Sequence, residues 1–191
     1  MKKFIALFIS AITLLFCLSS CTSQGLKGIH HVEMVIKDYG TIKIELDGDQ
    51  APLTVENFVN LANSGFYNGL TFHRYVSGFV LQGGDPNGDG TGGCDSTIKG
   101  EFSANGVKNT IKHKRGVISM ARNQFDYNSA SSQFFICLDN SCKDSLDGEY
   151  AAFGRITEGL EIIDLICNSV PQSDCISTEK QPIIEAVNVI D

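Results

Sequence analysis

Apolar and polar residues alternate along much of the chain, and this pattern predicts a mainly β protein. Over residues 31–36 and 42–46 the alternation has a period of two, which places the apolar side chains on one face of each strand. Asp38-Tyr39-Gly40 separates these two runs and predicts the turn of a hairpin. A second hairpin is expected around Ser77-Gly78, and further strands are expected at residues 117–121, 133–138, 151–156 and 183–190.

Helical spacing of apolar residues occurs in two stretches that lie far apart in the chain. Residues 51–66 carry an apolar stripe with this spacing, and Thr54 is expected to cap the first turn. Residues 158–167 predict the second helix. Because strands outnumber helices, the pattern favours a closed β-barrel capped at its ends by two α-helices.

The N-terminus has the features of an export signal. Lys2 and Lys3 precede an apolar run over residues 4–18, which is typical of a secretory signal peptide. This run is shorter than the roughly 20 residues that a membrane-spanning helix needs. It ends in Leu18-Ser19-Ser20-Cys21, which resembles a bacterial lipobox, where the cysteine is acylated and becomes the new N-terminus.

These features divide the chain into three parts. We expect a lipoprotein signal peptide at residues 1–20, the lipidated Cys21 with a short tether up to residue 28, and one domain over residues 29–191. The protein would then be exported and lipid-anchored to a bacterial membrane in the cell envelope. The alternative is an ordinary signal peptide that is cleaved nearby, with Cys21 incidental.

Composition and charge exclude several classes of function. Hydrophobic residues make up 42% of the chain and charged residues 19%, which is typical of a globular protein. The formal net charge is −7, so non-specific binding to nucleic acid is not expected. The chain contains no Cys-x-x-Cys pair, and adjacent His30 and His31 face opposite sides of a strand, so we expect no metal site.

The glycine-rich loop from residue 83 to residue 93 matches two short motifs that we reject. Its G-x-G-x-x-G pattern lacks the following helix that a dinucleotide site requires. The run Asp85-x-Asn87-x-Asp89 matches half of a calcium-binding loop, but Ser96 stands where a bidentate glutamate is needed. No cofactor is therefore expected.

Five cysteines remain beyond the predicted signal peptide and lipid site. An exported location permits disulfides, and Cys167 with Cys175, or Cys142 with either of them, could pair. Sequence does not fix this connectivity. Cys137 lies in an apolar strand and is expected to be a buried free thiol, and Cys94 completes the set.

The second predicted hairpin carries polar residues that a core strand does not need. They are His73, Arg74 and Gln82, set among apolar neighbours. Strand alternation predicts that Arg74 shares a face with Phe72, and that His73 faces the opposite side. A buried arginine is costly without a partner or a function, although Arg74 could also pair with an acid or reach solvent.

The same hairpin belongs to a series of four motifs in a fixed order. Residues 72–74 and 78–85 read Phe-His-Arg and Gly-Phe-Val-Leu-Gln-Gly-Gly-Asp, and residues 116–122 read Gly-Val-Ile-Ser-Met-Ala-Arg. Ser-Ser-Gln-Phe-Phe-Ile follows at residues 131–136, and Leu-Asp-Gly begins at residue 146. Together these motifs resemble the cyclophilin-type peptidyl-prolyl cis-trans isomerases. The resemblance implies an eight-stranded antiparallel barrel with two helices.

The resemblance also assigns roles to residues that match the family motifs. It implies that Arg74, Phe79, Gln82 and Phe135 are catalytic. The residues it implies for substrate binding are His73, Val80, Ala121, Arg122, Gln133, Leu146 and Tyr150. In this scheme Arg74 donates a hydrogen bond, the two phenylalanines hold a proline ring, and the backbone near Arg122 pairs with the substrate main chain.

Isomerisation before proline requires no covalent chemistry, because the barrier of about 18–20 kcal/mol is amide resonance. The expected partners are therefore proline-containing polypeptides, with no cofactor, no metal and no nucleic acid, and the domain is expected to be monomeric. Assistance to the folding of exported proteins is the expected role. The competing hypotheses are a proline-peptide binding module or chaperone scaffold with incidental isomerase activity, and a structural or adhesion lipoprotein.

Overall fold

Eight antiparallel strands and three α-helices make up the part of the chain that the structure, a computed structural model, describes, which is residues 24–191. The strands are β1 (Ile29–Ile36), β2 (Gly40–Asp47), β3 (Thr71–Val76), β4 (Val80–Asp85), β5 (Val117–Met120), β6 (Phe134–Cys137), β7 (Ala152–Glu158) and β8 (Ile184–Val189). The helices are α1 (Pro52–Asn63), α2 (Lys143–Leu146) and α3 (Leu160–Ser169). The predicted signal peptide and Cys21 lie outside the described residues.

One curled sheet contains all eight strands in the order β3-β4-β6-β5-β7-β2-β1-β8. The predicted first hairpin is confirmed, with Ile29 opposite Asp47 and Ile36 opposite Gly40. Alternation on these strands buries Val32, Met34 and Ile36, which belong to the main hydrophobic core together with α1. The period-two pattern thus correctly predicted which face of each strand points into the core enclosed by the curled sheet.

The sheet is curled but open, so the expectation of a closed barrel was wrong in this respect. Its edge strands, β3 and β8, do not pair along their length; Thr71 of β3 forms only an isolated bridge with Ile183, the residue just before β8. Further along β3, the free edge pairs with the segment around Ser173 instead of with β8: the Tyr75 N–H donates to the Ser173 carbonyl at 2.9 Å. Pro182 beside β8 lacks an N–H group and accepts a hydrogen bond from Phe72 at its carbonyl only.

Helix α1 packs into the main hydrophobic core of the curled sheet, and its N-terminus is capped by a distant carboxylate. Phe58 and Val59 are among its buried residues. Thr54 was expected to cap the helix, but no side chain of α1 itself does so. Instead, Glu101 accepts hydrogen bonds from the Leu53 N–H at 3.1 Å and the Thr54 N–H at 2.8 Å. The Thr54 hydroxyl also donates to Glu101, at 2.7 Å.

The expected count of two helices was one too low. Helix α3 was predicted, and it buries Ile163 and Ile166. Helix α2 has only four residues, which is too short to show a helical period in sequence. It presents Leu146 to a second, smaller apolar cluster that also contains Val80 and Phe135.

All five cysteines from Cys94 onward are free thiols in the described structure. Cys137 is buried as expected, and burial raises the pKa of its thiol. Cys142 is also buried, and its Sγ donates to the Phe79 carbonyl at 3.1 Å. Among residues 24–191, no helix combines the length and the apolar character required to span a membrane.

Candidate active site

A β-bulge on β3 decides which side chains of this strand reach the outer surface of the sheet. Arg74 lies opposite Gln82, but Phe72 lies opposite Gly83, so His73 is an extra residue without a partner across the pair. Such an insertion reverses the alternation on one side of it. Phe72 therefore points into the core while Arg74 points outward, and the prediction that they share a face was wrong.

Arg74 opens onto a pocket of about 250 Å³ on the outer face of the sheet. The pocket combines apolar side chains from β4, β6 and α2 with polar ones from β3 and β4. Its lining residues are Arg74, Phe79, Val80, Gln82, Ala121, Arg122, Phe135, Leu146 and Tyr150. Nine of the eleven candidate residues from the sequence are thus brought together at one place, and His73 and Gln133 are not among them.

The floor of the pocket is apolar and well packed. Val80, Phe135 and Leu146 belong to the smaller hydrophobic cluster, each at most 5% exposed, and Phe79 packs against it. The ring of Tyr150 meets the ring of Phe135 edge-on, with 5.8 Å between centroids. A slot of this kind suits a compact apolar ring.

A chain of hydrogen-bonded polar side chains leads from the wall of this pocket to Gln133. Arg74 donates from Nη1 to Oε1 of Gln82 at 3.3 Å, and Gln82 donates from Nε2 to Oε1 of Gln133 at 2.9 Å. Gln133 in turn donates to the Gly92 carbonyl at 2.8 Å. This chain fixes the orientation of both amides and holds the guanidinium beside the apolar floor, since an amide has one acceptor and two donor hydrogens.

A second pocket, of about 300 Å³, continues from the first along the surface. The two pockets share Gln82, Ala121 and Arg122, and Gln133 lines only the second. The Ala121 N–H already donates to the Gln133 carbonyl at 2.9 Å. Ala121 therefore offers its side chain and carbonyl to a bound molecule, and not its N–H group.

Arg122 is locked in place by aromatic rings. Its guanidinium carbon lies 4.6 Å from the ring centroid of Tyr150, 4.9 Å from that of Tyr127 and 5.3 Å from that of Phe102. Its Nε donates to the Glu149 carbonyl at 3.0 Å, and only 5% of the side chain is exposed. A cation over aromatic faces is stabilised electrostatically, so Arg122 fixes the wall that carries Tyr150.

His73 does not reach the pocket. It is fully buried, and neither ring nitrogen has a hydrogen-bond partner within the described residues. Burial lowers the pKa of His73, while nearby Asp85 acts in the opposite direction. The ring is enclosed beside the glycine-rich loop, where a Cβ on Gly90 would lie 3.9 Å from its Nε2, so the expected substrate contact by His73 is not available in this arrangement.

Sequence reasoning assigned no role to three residues that support the pocket from below. His113 contacts Oδ1 of Asp147 through Nδ1 at 3.0 Å and Oγ of Ser119 through Nε2 at 3.0 Å. The imidazole stacks on the ring of Phe135, with 6.2 Å between centroids. This order of groups resembles a hydrolytic triad, but Ser119 and His113 are buried and cannot reach a substrate. Through these contacts the imidazole is fixed against the ring of Phe135.

The glycine-rich loop is organised by a protein carboxylate. Asp85 is 1% exposed and accepts hydrogen bonds from the N–H groups of Asn87 and Asp89 at 2.9 and 3.1 Å. Gly84 precedes it with a φ of +80°, and a Cβ there would lie 2.8 Å from the Ser132 carbonyl oxygen. Glycine is therefore required at this turn. Within residues 24–191, no group of three or more acidic, histidine or cysteine side chains could hold a metal ion.

The fold and this pocket agree with the result of a comparison against protein families. Residues 31–189 match the family described as cyclophilin type peptidyl-prolyl cis-trans isomerase/CLD. The chain belongs to this family. The family expected from the four sequence motifs is therefore confirmed.

Individual relatives give the same assignment. The chain is 50% identical over 129 residues to a peptidyl-prolyl cis-trans isomerase of Helicobacter pylori, an alignment that covers 66% of this chain and 74% of that one. It is 44% identical over 134 residues to peptidyl-prolyl cis-trans isomerase B of Bacillus subtilis, covering 70% and 88% of the two chains.

Solved structures share the fold. A crystal structure of a cyclophilin type peptidyl-prolyl cis-trans isomerase of Cryptosporidium parvum superposes with a TM-score of 0.75 at 31% identity, covering 86% of this chain and 99% of that one. The structure of the same protein in the presence of the dipeptide Ala-Pro gives a TM-score of 0.73 at 32% identity, covering 84% and 99%.

Proposed function

We propose that this protein is a peptidyl-prolyl cis-trans isomerase whose reaction takes place in the pocket beside Arg74. The single observation that carries the proposal is the placement of this guanidinium against an apolar slot built on Phe79 and Phe135. Membership of the family and the names of the relatives support the activity.

The arrangement can lower the rotational barrier by binding the twisted amide more tightly than the planar one. In the planar amide the lone pair of the proline nitrogen is delocalised, whereas in the twisted amide it is available as an acceptor. A guanidinium N–H of Arg74 directed at this nitrogen interacts with the transition state more strongly than with the ground state. No bond is broken, so the step requires no nucleophile, cofactor or metal.

The remaining residues hold the substrate on either side of the rotating bond. In our scheme the proline ring occupies the slot between Phe79, Phe135 and Leu146, while the preceding residues lie along the second pocket. Gln82 orients Arg74 through the hydrogen bond from Nη1. In this scheme Arg74 donates a hydrogen bond and transfers no proton.

Substitution of Arg74 tests this assignment. In Arg74→Ala, the rate of cis-trans exchange in a short Xaa-Pro peptide, measured by NMR exchange spectroscopy, should fall at least about tenfold, which corresponds to about 1.4 kcal/mol of lost transition-state stabilisation. The matched control is Arg115→Ala, which removes an arginine paired with Asp164 on the surface. The control should retain the full rate. An unchanged rate in the Arg74 variant would refute the role of this residue.

We also propose that the isomerase is exported and held at a bacterial membrane by lipid on Cys21, where it assists the folding of exported proteins. The proposal is supported by the basic residues, the apolar run and the Leu-Ser-Ser-Cys sequence at the N-terminus. Lipid anchors with more than one acyl chain bind membranes stably.

The anchor can be tested by expressing the full chain and its Cys21→Ser variant in a bacterium. Mass spectrometry of the N-terminal peptide should find an acylated Cys21 in the parent, which should partition into detergent. The variant should lack the modification. Cleavage at another position, or an unmodified cysteine in the parent, would contradict lipid attachment while leaving the isomerase assignment intact.

A further inference from the structure

Asp174 makes direct contact with the guanidinium that faces the pocket. Its Oδ1 accepts a hydrogen bond from Nε of Arg74 at 2.9 Å. The Asp174 side chain is 86% exposed, whereas that of Arg74 is 29% exposed. The carboxylate therefore reaches Arg74 from the solvent side.

The segment that carries Asp174 is fixed to the strand that carries Arg74. Ser173 and Tyr75 exchange two backbone hydrogen bonds, each of 2.9 Å, and the Ile176 N–H donates to the His73 carbonyl at 2.7 Å. Ile176 is fully buried. This pairing fastens Asp174 by its backbone on both sides, so the carboxylate is held at a defined distance from β3.

Two hydrogen-bond acceptors fix the orientation of the Arg74 guanidinium. Asp174 accepts from Nε and Gln82 accepts from Nη1, at 2.9 and 3.3 Å. Within the described chain, Nη2 of Arg74 has no hydrogen-bond partner, and Arg74 lines the pocket. Because the guanidinium is planar and rigid, fixing two of its nitrogens also fixes the direction of the third.

We propose that Asp174 is a positioning residue for the isomerase reaction, because it holds Arg74 with one N–H edge directed into the proline pocket. The inference rests on the proposed role of Arg74. A long arginine side chain loses rotamer freedom when it is held in one geometry, and a fixed acceptor on the protein removes that cost before the substrate binds. Asp174 acts through Arg74 and does not itself contact the reacting atoms.

The test compares two substitutions of Asp174 by their effects on kcat and KM for an Xaa-Pro peptide. Asp174→Ala should lower kcat about three- to fivefold with KM little changed, in keeping with the size of an exposed ion pair. Asp174→Asn keeps an acceptor oxygen, so it should restore at least half of the parent kcat. The control Asp164→Ala removes a comparable surface partner from Arg115 and should have no effect.

A double variant separates positioning from a general structural effect. If Asp174 acts through Arg74, then Asp174→Ala should cause no further loss of rate in a chain that already carries Arg74→Ala. A further loss of the same size as in the parent would overturn the inference. So would a kcat in Asp174→Ala that equals or exceeds the parent value, provided that Arg74→Ala alone is impaired. If Arg74→Ala is fully active, the failure belongs to the proposed site.

Discussion

The cap on helix α1 leads to the sharpest prediction for stability. Glu101 is 3% exposed and receives hydrogen bonds from the Leu53 N–H, the Thr54 N–H and the Thr54 hydroxyl. Glu101→Ala removes the only acceptor that the structure provides for these three donors among its described residues. It also removes a negative charge at a helix N-terminus, where negative charge is favourable.

The size of the expected loss in the free energy of unfolding follows from the donors that Glu101→Ala leaves without an acceptor. Thr54 is fully buried, so its N–H and hydroxyl cannot turn to water. Each buried donor without a partner costs roughly 1–3 kcal/mol, and this loss is partly offset because the carboxylate no longer has to be buried. We expect Glu101→Ala to lower the free energy of unfolding by about 3–5 kcal/mol. Glu101→Gln keeps one acceptor and should lose about half as much.

Equilibrium unfolding in urea, followed by circular dichroism, measures this change on a soluble chain that begins at Thr22. The matched control is Glu161→Ala, because Glu161 is an exposed acid in the first turn of α3. The control should cost less than about 1 kcal/mol. Where the Glu101 variants remain folded, their isomerase rate should match that of the parent, since Glu101 does not line the pocket.

A Glu101→Ala variant whose free energy of unfolding falls by less than about 1 kcal/mol, with an unchanged denaturant slope, would contradict the role of this cap. Such a result would mean that water or a rearranged side chain satisfies the first turn of α1 as well as the carboxylate does. A reduced slope would indicate a change in the unfolded state and would require a second measurement by calorimetry.

Two further predictions concern titration and thiol reactivity. Burial lowers the pKa of both His73 and His113, so the unfolded chain takes up protons first as the pH falls. The free energy of unfolding should therefore be insensitive to these rings above about pH 7 and should decline below about pH 6.5, by at most about 1.4 kcal/mol per pH unit for each ring. In His73→Asn the free energy of unfolding should decline less steeply over the same range. A free energy of unfolding that stays constant from pH 7 to 5 would contradict the lowered pKa values. Cys175 is exposed, whereas Cys137 is buried and the pKa of its thiol is raised. A thiol reagent should therefore modify Cys175 before Cys137 in the native protein. Peptide mass spectrometry would show this order, and equal labelling of Cys137 without denaturant would contradict it.

Local patterns in the sequence were enough to predict most of the secondary structure. The alternation around Asp38-Tyr39-Gly40 located the first hairpin, and the helical stripe located α1, observed at Pro52–Asn63. These predictions succeeded because a period of two or 3.6 is a property of neighbouring residues. Nine of the eleven candidate residues meet in one pocket, and all of these except Tyr150 lie in the motifs that resemble the cyclophilin type.

Long-range packing decided what the sequence alone left open. The β-bulge at His73 depends on how β3 pairs with β4, and it turned His73 inward while it turned Arg74 outward. The Glu101 cap and the contact between Asp174 and Arg74 both join residues that are distant in the chain; Asp174 and Arg74, for example, are 100 positions apart. Whether the edges of the sheet close also depends on distant segments, here those around Thr71 and Ile183. No local period reports such contacts, because they exist only once the curled sheet brings those segments together.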